Sequence, residues 1–381
     1  MTSRNFDLIV VGAGPAGGTA ALTAAAQGIS VLLLEEHPTV GVPVSCAEGL
    51  SRSTIKDYLD IKQDWVSQEL SGALVRGPTG DAFNIKYPGV GWVMNRMVFD
   101  PAITKLARAH GAVLKTSTKA IGVDNNEIIV SESGIQKRYT FKFLIGADGV
   151  ASHVGRWFGI DTRLSLQEIE VCAQCVLEDI TIDPHCTVLI FGEEYAPGGY
   201  AWIFPKSRNS ANIGLGISPV RTKKPAKYFL DRWVRKEFPH GTIKAQMYGG
   251  VPAKILKHFS GNNFFLIGDA ARFTDPLSGA GIANGIKSGV IAARNAVLRL
   301  KGKKCHFESE IKHEILNEIK FHYRVRRVYL KLTDREFNDI FQVGRKIYEG
   351  KTIHDINTRH LVKEILLSSP RLLKVGFNLL F

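Results

Sequence analysis

Nowhere in these 381 residues does an apolar run approach the roughly 18 uninterrupted residues that would cross a bilayer. With 45% hydrophobic residues, the chain reads instead as an ordered globular protein able to bury a large core. Five cysteines are too few and too scattered for a disulfide framework in a chain this long. Two of them, Cys172 and Cys175, form a Cys-x-x-Cys, but the segment from Ile169 to Leu177 reads as a strand. Odd spacing on a strand sends the two thiols to opposite faces, and no second pair exists, which excludes a zinc site. Acidic residues are outnumbered, 36 against 49, for a net charge of +13. Residues 301–381 carry 17 Lys and Arg against 10 Asp and Glu, more than half of that excess. A basic surface suits a polyanion. No nucleic-acid motif accompanies it, and large apolar residues interleave with the basic ones. Anionic lipid therefore fits better than nucleic acid, with ordinary solvated helix faces as the competing reading. Internal repeats and low-complexity linkers are also lacking, so the chain reads as one interleaved unit.

What is present begins at once. Asp7 to Val11 is a short apolar run suited to a buried parallel strand, and Gly12, Gly14 and Gly17 follow it at dinucleotide-binding spacing. A small-residue helix from Thr19 to Gln27, closed by Gly28, leads to a second apolar run, Val31 to Leu34, which ends in Glu35. Each part has a physical task. Gly12 makes the tight turn, Gly14 lets backbone approach a pyrophosphate, Gly17 lets helix pack on strand, and Glu35 can accept ribose hydroxyls. The early position of this fingerprint leaves no room for a cleaved leader, which predicts a cytoplasmic protein.

Two distant segments extend the pattern. Phe143 to Arg156 reads as a strand that ends in Asp148-Gly149, and Phe264 to Gly285 as a strand that ends in Gly268-Asp269. The second continues through Pro276, Gly279 and Gly281 into a helix that opens at Ile282. Together these resemble the DG and GD motifs of the group A flavoprotein monooxygenases and reductases. The resemblance implies FAD, with Asp269 on the ribityl chain and the N-terminus of the following helix facing the flavin pyrimidine. Helix dipoles favour the negative charge a reduced flavin carries there. It also assigns Ala16, Ala47 and Arg96 to the flavin site.

Two further segments point to a substrate. Pro43-Val-Ser-Cys46-Ala-Glu48-Gly49 is a loop just after the first nucleotide unit. Tyr200-Ala-Trp202-Ile-Phe204-Pro205, followed after eight residues by Gly214-Leu-Gly216, alternates so that three aromatic rings share one strand face. Such a wall is by itself more often core than binding site. In combination these residues resemble the geranylgeranyl reductase family, most of all its archaeal members that act on geranylgeranyl phospholipids. The family's YxWxFP and GxG pattern matches Tyr200, Trp202, Phe204, Pro205, Gly214 and Gly216. Its PxxC and CxxG pattern matches Pro43, Cys46 and Gly49. The match covers about residues 6–300, and the last eighty residues fit only in general character.

The resemblance implies an α/β fold: a discontinuous Rossmann-like FAD domain (residues 1–164, continued by 259–300), an inserted antiparallel-sheet substrate domain (165–258) and a helical C-terminal region (301–381). It implies hydrogenation of isoprenoid C=C bonds, with the aromatic motif lining a tunnel for the chain and Cys46 near the flavin. The proton donor stays open among Cys46, Glu48 and Tyr200. With no second nucleotide fingerprint, the electron donor is either a reduced nicotinamide bound without a Rossmann site or a ferredoxin-like carrier. The charge pattern predicts peripheral attachment to the inner face of the cell membrane, with residues 370–381 as the inserting segment or, equally, as a segment docked on its own domain. Ile311, Ile315, Ile319 and Tyr323 predict an amphipathic helix, more suited to packing on its own domain than to the membrane. A flavin monooxygenase would share the three FAD motifs, and a non-catalytic prenyl-lipid carrier, similar to the Rab GDP-dissociation inhibitors, would share the fold.

Overall fold

A computed structural model describes residues 5–354 and 357–368. The chain opens with β1 (Asn5–Val11), α1 (Pro15–Ala25), β2 (Val31–Leu34), β3 (Gly49–Ser51), β4 (Val66–Arg76) and β5 (Ala82–Met94). It continues through α2 (Arg96–Ala109), β6 (Val113–Lys115), β7 (Thr118–Asp124), β8 (Glu127–Glu132), β9 (Ile135–Gly146) and α3 (His153–Trp157). Next come β10 (Ile169–Glu178), β11 (Cys186–Ile190), β12 (Tyr200–Pro205), β13 (Ser210–Ile217), α4 (Ala226–Glu237) and β14 (Thr242–Pro252). The remainder is β15 (Phe264–Leu266), α5 (Ile282–Leu300), α6 (Phe307–Ile311), α7 (Asn317–Tyr329), α8 (Asp334–Tyr348) and α9 (Thr358–Ser368).

Two sheets organise these elements. In the seven-stranded one, β6, β2, β1, β9 and β15 run parallel, and β8 and β7 extend it antiparallel beyond β9. Leu8, Ile9, Val10, Leu32, Leu33 and Leu34 are all buried, as continuous apolar runs require in a sheet covered on both faces. Helices α1 and α5 cover it and touch through small residues: a Cβ added to Gly289 would lie 2.4 Å from the Ala16 carbonyl oxygen. Ala16, expected at the flavin, is thus a point of helix packing.

The second sheet has eight strands in the order β14-β10-β13-β12-β11-β4-β5-β3. The boundary expected at residue 164 does not follow the sheets, because β3, β4 and β5 belong here. Strand β4 runs parallel to β11, with Gly72 opposite Cys186 and Arg76 opposite Ile190, and β5 and β3 add to its far side. That pairing joins segments more than a hundred residues apart, which no local pattern announces. One face, with Leu177, Ile203, Ile213 and Leu215, packs on Phe229, Leu230 and Trp233 of α4. The opposite face looks toward the cysteine loop.

The C-terminal region docks on both sheets. Phe307, Ile311, Ile315 and Ile319 are buried in the core of the first, and Phe307 stacks on Phe265 with ring centroids 3.9 Å apart. At about 1.5–3 kcal/mol per buried side chain, this outweighs the ~1 kcal/mol that each basic residue gains at an anionic membrane. The amphipathic stripe thus packs on its own domain. A π turn (Lys312–Leu316) keeps the three isoleucines in line. Beyond it, every fourth residue drifts by about 40° per step. The inward face therefore passes to the buried His322 and Arg326 rather than to Tyr323. Helix α8 begins with a capping box between Thr333 and Glu336, and its Phe341 packs on Phe83, centroids 5.0 Å apart. Among the described residues no helix is long and apolar enough to cross a membrane. The segment 370–381, expected to insert, lies outside the described residues.

Candidate functional site

The nucleotide end is built from glycine geometry. Gly12 has φ +98°, and a Cβ there would sit 2.3 Å from the Ala147 carbonyl oxygen. A Cβ on Gly17 would collide with the Gly12 carbonyl oxygen at 1.8 Å. Gly14 is different: a Cβ there would meet nothing within 4 Å, so its absence serves approach from outside. Helix α1 starts at this glycine with Pro15 in its first turn and no side-chain cap, leaving backbone N–H groups free to meet an anion. Glu35 is drawn against the same turn. One carboxylate oxygen accepts from Ala13 N at 3.0 Å and the other meets His37 N and Nδ1 at 3.0 and 2.7 Å.

Asp148 and Gly149 lie beside that turn. Asp148 Oδ2 accepts from His153 N and Val154 N at 2.6 and 2.9 Å, while Oδ1 is buried without a partner among the described residues. Gly149, at φ +76°, faces open space. In the third segment Thr274 Oγ1 donates to Asp269 Oδ1 at 2.6 Å, and burial pushes the Asp269 carboxyl up. Asp275 then shapes the loop of Pro276, accepting from Leu277 N, Ser278 N and Ser278 Oγ at 3.0, 2.8 and 3.0 Å. Gly279 takes φ +73°, and α5 opens at Gly281 and Ile282 with no side-chain cap. An orphaned buried acceptor, two bare glycines and two uncapped helix starts are what FAD requires, so the residues present fit that cofactor.

The Cys46 loop bridges the two sheets. Gln174 Nε2 donates to the Cys46 carbonyl at 2.9 Å, and Asn212 Nδ2 donates to the Ala47 carbonyl at 3.2 Å and to Glu48 Oε2 at 2.8 Å. Lys206 pairs with Glu48 Oε2, and Arg96 N donates to Glu48 Oε1 at 2.9 Å. Glu48 is 2% exposed and sits at φ +68°, a strained conformation that this ring of donors holds in place. Both carboxylate oxygens are thus already engaged by donors of the surrounding chain. The Arg96 side chain forks onto Asp100, both bonds 2.6 Å long. Burial opposes the Arg96 charge, but Asp100 outweighs it and holds the guanidinium above its ordinary value. Burial also pushes the Cys46 thiol up, against the pull of Arg96, so it is neutral near pH 7.

The aromatic wall faces this loop. Strand register sets Tyr200 opposite Gly216, Trp202 opposite Gly214 and Phe204 opposite Asn212. The glycines make room for the indole: a Cβ on Gly214 would lie 2.6 Å from Trp202 Cζ2. Trp202 Nε1 donates to Gln174 Oε1 at 3.1 Å, so Gln174 ties the wall to the cysteine loop. The Phe204 ring packs on Gly49, Pro205 ends the strand just before Lys206, and the Tyr200 hydroxyl donates to the Ser278 carbonyl. Burial pushes the Tyr200 phenol well above its ordinary value. Cys172 shares the row of Gly216 and Gly249 on the site face, whereas Cys175 shares that of Ile213 and Gln246 on the α4 face. Among the described residues no group of three or more His, Cys, Asp or Glu could hold a metal ion.

Several of these residues were not legible beforehand. Gln174 and Asn212 carried a faint signal, being polar positions inside otherwise apolar strands. His322, Arg326 and Tyr329 carried none. They form one face of α7 and reach three parts of the candidate site: Asp275 in the loop before α5, Glu170 on β10 and the Gly199 carbonyl before the aromatic strand.

Comparison with known proteins agrees with this geometry. A family model described as FAD dependent oxidoreductase matches residues 7–147, and one described as geranylgeranyl reductase catalytic domain matches residues 168–251. The chain is 35% identical to the digeranylgeranylglycerophospholipid reductase of Methanocella arvoryzae over 97% of both sequences. To that of Methanosarcina acetivorans it is 36% identical, over 92% of this chain and 91% of the other. The crystal structure of a geranylgeranyl bacteriochlorophyll reductase-like protein from Thermoplasma acidophilum matches with a TM-score of 0.90 at 28% identity, covering 98% of this chain and 99% of that one. A flavin-dependent brominase, at TM-score 0.68 and 17% identity over 98% of this chain and 94% of its own, shares the fold alone. With relatives this similar over nearly its whole length, and with the flavin motifs and aromatic wall in place, the chain belongs to the geranylgeranyl reductase family of FAD-dependent oxidoreductases.

Proposed function

We infer that this protein is an FAD-dependent reductase that saturates the C=C bonds of geranylgeranyl chains on archaeal-type membrane phospholipid precursors. The observation that supports this reading is Gln174, whose amide joins the cysteine loop to the Trp202 wall, while Tyr200 of the same wall donates to the Ser278 carbonyl in the loop after Asp269. Bound and reduced, FAD supplies a hydride. The rest falls to the chain. An isolated trisubstituted alkene has no carbonyl to take up charge, so a proton must reach one carbon as hydride reaches the other, with positive character on the branched carbon. The Trp202 ring suits that charge, since an aromatic face attracts a cation by about 0.5–2 kcal/mol. Its Nε1 bond to Gln174 keeps the ring from turning away. Apolar surroundings at the reacting bond would also keep water from trapping the cation. In this reading Cys46 is a neutral thiol beside the reaction centre and Glu48 is the anchor of its loop.

Electrons reach the enzyme from a ferredoxin-like carrier or a reduced nicotinamide. Because the substrate's chains sit in a bilayer, the enzyme works at the inner membrane face, held there by part of its +13 charge. Vesicle binding that rises with anionic lipid and falls with salt supports this attachment. The decisive experiment is mass spectrometry of a geranylgeranyl phospholipid after anaerobic incubation with dithionite-reduced protein. Two hydrogens gained per double bond support the reading. Oxygen consumption coupled to a hydroxylated product would make the protein a monooxygenase, and a colourless protein that binds prenyl lipid would make it a carrier.

A further inference from the structure

The reduction needs a proton, and Glu48, Tyr200 and Cys46 are poorly suited to give it. Glu48 is enclosed by Lys206, Asn212 and Arg96 N. Tyr200 already donates its hydroxyl to the Ser278 carbonyl, and burial makes its phenol a weaker acid than usual. Burial likewise makes the Cys46 thiol a weaker acid.

A fourth group lies on the same face of the second sheet. Side chains alternate along β10, so Glu170 shares a face with Cys172 and Gln174, the residues that meet Gly216 and the Trp202 wall. Across the sheet its partner is Val251, and Val251 Cγ1 lies 3.9 Å from where a Cβ on Gly279 would stand, so this row borders the flavin loop. One oxygen of Glu170 pairs with Arg326 of α7. The other, Oε2, is buried and has no hydrogen-bond partner among the described residues. A buried carboxylate oxygen left unpaired is costly, and a proton on it removes most of that cost.

We propose that Glu170 is the proton donor of the alkene reduction. The proposal rests on the reductase reading above. In the step, the alkene π bond opens and one carbon gains a C–H bond from the hydride and its electron pair. The π electrons form the second C–H bond with the proton of Glu170 Oε2–H. The O–H pair stays on the carboxylate, which Arg326 stabilises, and solvent returns the proton between turnovers. Burial pushes the Glu170 carboxyl up to about 7 even against the pull of Arg326, so it carries a proton for part of the time at neutral pH. The titratable neighbours are Arg326 and Tyr329 on α7, Cys172 on β10 and Tyr200 on β12. Arg326 is the one cation among them. The other three are neutral near pH 7, because burial raises each of them.

The test compares the wild-type holoenzyme with Glu170→Gln, which keeps an acceptor for Arg326 and loses the acid. Anaerobic turnover of a geranylgeranyl phospholipid should fall by about 100-fold or more in kcat, the usual range for losing a general acid, with KM little changed. In the wild type, kcat should decline as pH rises through about 7, and that limb should vanish in the variant. Removing the opposing charge with Arg326→Met should move the limb to higher pH. A readout free of turnover is carboxyl 13C NMR of the oxidised protein. A glutamate signal titrating near neutrality in the wild type and missing from Glu170→Gln supports the proposal. A Glu170 carboxyl ionised throughout pH 5–8, or a variant with wild-type kcat and pH profile, overturns it while leaving the reductase reading intact. Failure of the wild type to reduce the lipid overturns both.

Discussion

Replacing Glu48 by Gln separates an anchoring carboxylate from a catalytic acid. The side chain is 3% exposed and its oxygens receive Lys206, Asn212 and Arg96 N. Glutamine keeps one acceptor and turns an NH2 group toward one side. In one orientation that group faces Lys206 and Asn212, and in the other it faces Arg96 N, so a donor meets a donor either way. Losing one buried partner costs about 1–3 kcal/mol, and breaking a buried ion pair about 3–5 kcal/mol. The Lys206 side chain is 25% exposed and can turn to water, which favours the lower part of that range. The expected loss is about 2–4 kcal/mol. It should appear as a lower midpoint in guanidinium unfolding of the holoprotein. Coupling to Lys206→Met in a double-mutant cycle should be about 1 kcal/mol or more, as for residues in one network. Lipid reduction should weaken because the Cys46 loop loosens, while the pH profile keeps its shape. A Glu48→Gln protein within about 0.5 kcal/mol of wild type, with the pH dependence of kcat abolished, would refute the anchor and restore Glu48 as the acid.

Four further outcomes are expected. Asp269→Ala should lose most of its flavin on gel filtration, because Thr274 and the loop after it depend on that carboxylate; retention of flavin absorbance would remove Asp269 from the cofactor site. Gly214→Ala forces a Cβ to within 2.6 Å of Trp202 and should destabilise by about 1–3 kcal/mol while raising the lipid KM more than it lowers flavin content, and an unchanged KM would mean the indole does not meet the lipid chain. Cys46→Ala should keep its flavin yet alter the rate or the pattern of saturated double bonds, and identical products at an identical rate would reduce Cys46 to packing. His322 is 8% exposed; burial alone would lower its pKa, but the bond to Asp275 outweighs this and holds it above 6.5. Its stabilisation is therefore complete below about pH 6.5 and lost as pH rises through the higher folded value. Melting temperatures from pH 6.5 to 9 should fall less steeply in His322→Gln, and parallel curves would show that the pair contributes nothing.

What the amino-acid sequence determined alone was whatever depends on near neighbours. The turn at Gly12, Gly14 and Gly17, the Asp-Gly and Gly-Asp strand ends, and the facing of Tyr200, Trp202 and Phe204 follow from local conformation and from the two-residue period of a strand. The opposite facing of Cys172 and Cys175 follows from the same period. Tertiary structure decided the rest. Gln174 meets Cys46 across 128 residues, Lys206 meets Glu48 across 158, and Arg326 meets Glu170 across 156. Strand β4 joins β11 from a part of the chain expected to stay with the flavin domain. On α7, a polar face that periodicity turns outward is buried because Asp275, Glu170 and the Gly199 carbonyl await it. The physical reason is shared by all of these. A polar side chain is buried when a partner offsets its desolvation, and that partner exists only once distant segments have packed.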